Sequence, residues 1–145
     1  MEGLVRTMQS SHPIVGNLVL IGGGHAQVAL LKSLAKIPLP GLRTTLVCND
    51  INTPYSGMVP GFVAGIWHES DIHIDLARLT SMAGANLINA PVAGIHANKK
   101  QIKINGRPPL PYDVLSLNSG GEPNFAAISG AASHCIPVKP AGLFL

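Results

Sequence analysis

The chain has 145 residues, of which 46% are hydrophobic, 12% charged and 4% aromatic, and carries a formal net charge of +3. A chain of this length and apolarity can close a core as one domain, which excludes a disordered segment, and the few aromatics argue against a platform of stacked bases. Its ten Lys and Arg residues are scattered, only Lys99 and Lys100 being adjacent, so no basic patch is laid out for nucleic acid.

Residues 1–16, MEGLVRTMQSSHPIVG, contain Glu2, Arg6, His12 and Pro13 and no leader-like apolar stretch, and are expected to form a flexible arm. Leu18 to Ile21 is an all-apolar run of the kind that makes a parallel strand covered on both faces, and Gly22, Gly23 and Gly24 end it. A helix follows. Leu30, Leu34 and Ile37 fall at i, i+4 and i+7, Leu31 and Ala35 widen the stripe, and Pro38 and Pro40 stop it. RTTLVCND, residues 43–50, is β-branched and apolar until its polar end, which completes a βαβ unit with two parallel strands.

Residues 50–66 are rich in Pro, Gly, Ser and Asn without a period and predict a long ordered loop. From Asp71 a helix is expected, with Ile74, Leu76, Leu79 and Met82 on its apolar faces and Gly84 as its stop. NLINA, VAGIHA and QIKIN are short β-like runs, the last two joined by a hairpin turn at NKK. After a rigid connector over residues 106–111, YDVLSLN predicts one more buried strand, running into Ser119, Gly120 and Gly121. No run of about 18 apolar residues occurs, because Asn17, the glycines, His25 and Gln27 interrupt the best one. Cys48 and Cys135 form no CxxC, so a soluble protein with reduced thiols in the cytoplasm is expected.

The pattern GxGxxG at a strand-to-helix turn lets a dinucleotide diphosphate approach the free amides and positive dipole of a helix N-terminus. Gly22 and Gly24 fill its first two positions, with Gly23 between them and the small Ala26 close by, but Gln27 stands third. Helix and strand must therefore separate slightly, or the Gln27 side chain must turn aside. The acidic residue that would hold ribose hydroxyls falls at the end of the second strand, where Cys48, Asn49 and Asp50 stand. His25 can hydrogen-bond a phosphate or simply face solvent at the helix start.

The second signal is YDVLSLNSGGEP, a strand that enters a Ser-Gly-Gly turn far from the first glycine loop and after a hairpin excursion. Here the chain resembles the FAD domain of the pyridine nucleotide-disulfide oxidoreductase superfamily, whose members carry a YDxLxxATGS-like stretch. Tyr112, Asp113, Leu115 and Gly120 match; Asn118 and Ser119 replace Ala-Thr, and Ser119 keeps the hydroxyl. NDINTPYSGMVPGFVAG, IDLARL and PLPYDVLSL narrow the resemblance to the type II NADH dehydrogenase-like branch, and within it to the subgroup associated with selenide, water dikinase. TPYSGMVPG is the most specific piece.

The resemblance covers residues 17–145. It implies an α/β, Rossmann-like FAD-binding domain with a parallel sheet and a β-hairpin or meander excursion. Gly22, Gly23, Gly24, Ser119 and Gly120 would then hold FAD, and the loop of Pro54, Tyr55, Ser56 and Gly57 would lie near the flavin ring. Members of the branch continue into an NADH-binding βαβ domain with its own glycine loop, and no second GxGxxG precedes the terminal VKPAGLFL. The resemblance thus implies the first third of a flavoprotein that passes hydride from NAD(P)H through FAD to an acceptor such as a quinone. A separate C-terminal half or selenide, water dikinase are the partners it suggests.

HESDIHID brings His68, Glu69, Asp71, His73 and Asp75 together, but the spacing matches no HExxH pattern and acids in a first helical turn complement its dipole, so no metal is expected. Ser56 lacks the His and acid signature of a hydrolase nucleophile, and no side chain stands out as a catalytic acid or base. Two rivals remain at this level. A plain NAD-binding Rossmann domain would favour a carboxylate at position 48, and a non-catalytic nucleotide-binding fragment or partner surface fits the single glycine loop.

Overall fold

β1 (Gly16–Ile21) is apolar on both faces from Leu18 onward, as a strand sandwiched between two layers requires. The computed structural model describes residues 12–145, and β1 is followed by α1 (His25–Lys36), β2 (Leu42–Cys48) and β3 (Asn52–Pro54). Then come α2 (Val59–Val63), α3 (Glu69–Ile72), β4 (His73–Asp75) and α4 (Leu76–Met82). β5 (Asn86–Asn89), β6 (Val92–His96), β7 (Gln101–Ile104), β8 (Leu110–Pro111) and β9 (Val114–Leu117) complete the strands. α5 (Ala131–His134) and α6 (Ala141–Phe144) follow them. Of the expected N-terminal arm, residues 1–11 lie outside the described residues. At its end the N–H groups of Val15 and Gly16 donate to the Gly41 carbonyl at 2.8 and 3.3 Å.

Four parallel strands form the central sheet in the order β5-β2-β1-β9, with Leu20 opposite both Leu46 and Ser116. Alternation along β1 and β2 then builds three layers. Leu18, Leu20, Leu46 and Cys48 point to one face, where Val28, Leu31 and Leu34 of α1 and Leu76 and Leu79 of α4 cover them. Val19, Ile21 and Val47 point to the other, against Ile102 and Ile104 of the antiparallel β6-β7-β8 sheet. The expected α/β fold with a parallel sheet and a hairpin excursion is therefore the observed one. Each fully buried leucine or isoleucine contributes about 1.5–3 kcal/mol by leaving water.

Local expectations fare less evenly. The stretch expected as a loop over residues 50–66 holds β3, a single 3-10 turn at Ser56–Met58 and α2. The helix expected from Asp71 is broken: α3 ends at Ile72 and the next three residues pair antiparallel with β3, Thr53 facing Ile74. Asp75 restarts the helix as the cap of α4, its carboxylate accepting the Arg78 N–H at 2.9 Å. Ile37 and Met82, expected on apolar faces, are exposed. The last two residues of the expected rigid connector form β8, which pairs with β7. Among the described residues β9 is an edge strand rather than a buried one, because only β1 pairs with it, and Val114 and Leu117 stay exposed. Among the described residues no helix is long and apolar enough to cross a membrane.

Gln27 does not turn aside. It is 1% exposed and lies between α1 and the sheet, its Nε2 donating to the Ser116 hydroxyl at 3.1 Å and the Ser116 carbonyl at 3.2 Å. The Ser116 hydroxyl donates back to Gln27 Oε1 at 3.3 Å. The side chain thus fastens the start of α1 to β9 where the pattern has a bare glycine. Gln27→Gly, which completes the GxGxxG spacing, is therefore expected to destabilise the fold by about 2–4 kcal/mol, through lost buried hydrogen bonds, a void and a glycine inside a helix. Urea unfolding checks this, and an unchanged or higher midpoint would contradict it.

Candidate functional site

Chain order and sheet order diverge at one place. From β1 the chain steps through α1 to β2 and on to β5 on one side, and returns after the antiparallel sheet to β9 on the other. In open parallel sheets, ligands bind in the crevice at the carboxyl ends of the two strands that flank such a switch point. Here those ends are Gly22, Gly23 and Gly24 after β1, and Asn118, Ser119, Gly120 and Gly121 after β9.

The two turns are built against each other. Gly22 has φ +91°, and a Cβ there would stand 2.8 Å from the Asn118 carbonyl carbon, closer still to its oxygen, and 3.3 Å from the Ser119 Cα. Their backbones are tied, the Asn118 N–H donating to the Ile21 carbonyl at 2.8 Å and the Gly22 N–H to the Val47 carbonyl at 2.9 Å. At Gly23 a Cβ would lie 2.7 Å from Leu76 Cδ1 and 3.4 Å from Thr53 Cβ, so this glycine lets β3 and α4 close over the turn. Gly24, with φ −69° and ψ 167°, is the N-cap of α1 and has no side chain to satisfy the helix amides. The first N–H groups of a helix find no partner within it, and the dipole adds positive potential there. An anion fits that description.

Above Gly24 the structure places a group outside the sequence-based candidates. A Cβ at Gly24 would stand 2.6 Å from Asn118 Cγ and 2.7 Å from its Oδ1, so the Asn118 side chain lies directly over the start of α1. Its Nδ2 is buried and has no hydrogen-bond partner among the described residues. The sequence signal was the asparagine in the stretch otherwise matched as Ala-Thr.

The loop after β3 stands beside the turn. Pro54 ends β3 opposite His73, the Tyr55 N–H donates to the Ile72 carbonyl at 2.7 Å, and Ser56 opens the 3-10 turn. Gly57 admits the Tyr55 ring, which a Cβ there would meet at 3.1 Å. The Tyr55 ring meets that of His25 edge-on, with centroids 6.3 Å apart. His25 and Ala26 are exposed in the first turn of α1, and Ser119 and Gly120 are exposed beyond β9. Gly22 through Ala26, Pro54 through Gly57 and Ser119 with Gly120 are thereby gathered around the carboxyl ends of β1 and β3 and the crevice beside β9.

At the end of β2 the three candidates separate. Asn49 and Asp50 are exposed, whereas the Cys48 side chain is packed in the core with Leu18, Leu46, Leu76 and Leu79. Its thiol therefore cannot reach a ligand hydroxyl at the strand end. Burial, and secondarily the Asp50 carboxylate, push the Cys48 thiol above its ordinary value. Because the fold holds this proton more tightly than the unfolded chain does, its stabilising contribution is full below the unfolded value of about 8.5 and declines as pH rises past it. With an aromatic disulfide reagent at neutral pH, exposed Cys135 is expected to react at once and Cys48 only as the chain unfolds. Two equally fast thiols would contradict that packing.

Within HESDIHID the Asp71 and Asp75 carboxylates and the His68 and His73 side chains are engaged by backbone. The His68 N–H donates to the Asp71 carboxylate at 3.0 Å, His73 Nδ1 contacts the Glu69 carbonyl at 2.7 Å, and Asp75 caps α4. Among the described residues no three His, Cys, Asp or Glu side chains gather to hold a metal ion.

No family model matches the chain, and no curated protein matches it. Among solved structures it is similar to a sulfide:quinone oxidoreductase from the hyperthermophilic bacterium Aquifex aeolicus, with a TM-score of 0.69 and 22% identity over 81% of this chain. It is also similar to a water-forming NADH oxidase from Lactobacillus brevis solved with NADH bound, at a TM-score of 0.64 and 21% identity over 82% of the chain. A third is NDH2 from Plasmodium falciparum in complex with NADH, at a TM-score of 0.64 and 16% identity over 81%. At these identities the similarity establishes the fold. The chain spans 27%, 28% and 25% of those three proteins.

Proposed function

We propose that this chain is the FAD-binding portion of a flavoprotein oxidoreductase of the type II NADH dehydrogenase-like kind, passing hydride from NAD(P)H to an acceptor such as a quinone. The observation that carries the reading is the switch point at the carboxyl ends of β1 and β9, where two glycine turns abut and the N-terminus of α1 has no side-chain cap. The fold shared with oxidoreductases supports it, one of them named for quinone and two solved with NADH. The finer placement, beside selenide, water dikinase, rests on the sequence resemblance of TPYSGMVPG.

The residues present fit a dinucleotide. The amides from Gly23 to Ala26 and the buried, unpaired Nδ2 of Asn118 are donors suited to a diphosphate, and a side chain at Gly24 would fill the space above the helix start. Asn49 and Asp50 are the exposed polar groups at the end of β2 that ribose hydroxyls would meet, and the Pro54–Gly57 loop with His25 would border the ring system. When bound, FAD supplies a ring that accepts hydride and passes electrons onward. The chain's own task is to orient that group and to offset the charge of its phosphates.

The full chain, incubated with FAD and passed through a desalting column, is expected to retain a flavin spectrum in the visible; a colourless protein would contradict the reading. We further propose that an NADH-binding domain outside this sequence completes the enzyme. The loaded chain alone is then expected to consume NADH far below an enzyme-like rate with quinone or ferricyanide. Positioning of the nicotinamide contributes about 7–11 kcal/mol to such reactions and would come from that domain. Robust turnover by the chain alone would overturn that division.

A further inference from the structure

We propose that Asn118 is a direct ligand of the diphosphate: its side chain swings off Gly24 and donates its unpaired Nδ2–H to a phosphate oxygen. The proposal rests on the dinucleotide reading of the crevice and adds to it a donor particular to this chain, because Asn118 stands where the resembling stretch has alanine.

Three observations converge on this side chain. Its backbone is fixed, the Asn118 N–H being bonded to the Ile21 carbonyl at 2.8 Å, so only the side chain can move. Its amide lies over the Cα of Gly24, in the space that an anion must enter to reach the α1 amides. Its Nδ2 is shielded from solvent without an acceptor, although buried amide donors are nearly always paired. A ligand oxygen would supply the acceptor that the described residues do not, and at a helix N-terminus an anionic oxygen is the favoured one. In the ligand-free chain the side chain occupies the cradle, and in the complex it becomes part of the cradle wall.

The test is a fluorescence titration of the full chain with FAD, comparing the parent with Asn118→Ala and Asn118→Asp, together with the thermal midpoint of each ligand-free variant. Losing a hydrogen bond to a charged group is expected to weaken FAD binding by about tenfold or more in Asn118→Ala. Asn118→Asp, which cannot donate and brings a like charge to the phosphate, is expected to weaken it further. The ligand-free midpoint of Asn118→Ala is expected to hold or rise, because an unsatisfied buried donor is removed. Equal or tighter binding by Asn118→Ala would overturn the proposal, making the side chain a mere plug. Weaker binding with a matching fall in ligand-free stability would overturn it too, as the mark of a structural role. If the parent itself binds no FAD, the dinucleotide reading falls and this proposal with it, an outcome the parent titration alone separates from the others.

Discussion

Gly22→Ala is expected to lower the thermal midpoint by about 10 °C and to prevent any useful reconstitution with FAD. The backbone at Gly22 sits at φ +91°, where a Cβ costs on the order of 1–2 kcal/mol before any neighbour is considered. The neighbour is worse than the dihedral. The added methyl would meet the Asn118 carbonyl, which is backbone of a residue anchored through its N–H to the Ile21 carbonyl and cannot rotate away as a side chain could. Relief requires pulling β9 from β1, at a further cost of about 1–3 kcal/mol. Together these make a large fraction of the 5–15 kcal/mol that ordinarily holds a domain folded. Differential scanning calorimetry of the variant checks it, and a midpoint within a degree or two of the parent would show that the turn is slack.

The different weight of neighbouring glycines could not be read from the triplet GGG alone. The sequence does show that a strand, a tight turn and a helix meet there, because an apolar run is followed by glycines and then by a 3.6-residue rhythm. It does not show what each absent Cβ makes room for, since Asn118, Thr53 and Leu76 arrive from elements remote in sequence. Gln27 is the sharpest case. By position it reads as a departure from the glycine pattern, and only its bonds to Ser116, 89 residues away, reveal a tie between α1 and β9.

The hairpin excursion was legible because NKK joins two alternating runs, whereas β4 was not, because Ile74 fits a helical stripe as well as a strand. Pairing with β3 decides the matter, and that contact is tertiary. Cys48 was placed correctly at a strand end, but alternation along β2 turns its thiol into the core beneath α1 and α4 and leaves Asn49 and Asp50 as the exposed groups there.

Gly24→Val is expected to separate folding from binding. The backbone there has φ −69° and ψ 167°, an extended conformation that valine favours, so the chain itself is unstrained by the change. The new side chain would displace the end of the Asn118 side chain, which can rotate, and would then stand where an anion must approach the amides of α1. Loss of two charge-assisted hydrogen bonds at about 1.5 kcal/mol each corresponds to a roughly hundredfold or greater loss of FAD affinity. The thermal midpoint of the ligand-free variant is expected to stay within a few degrees of the parent. Undiminished affinity in a calorimetric titration would mean that the diphosphate does not lie over α1.

A dinucleotide at the carboxyl ends of β1 and β9 is tested most directly by hydrogen–deuterium exchange of the full chain with and without FAD. The expected result is slower exchange on FAD addition at residues 23–26, whose amides would face the phosphates, and at residues 119–121 in the neighbouring turn. β6, β7 and β8 on the far layer are expected to exchange as before. Protection confined to other segments, or none at residues 23–26 under saturating FAD, would contradict the placement.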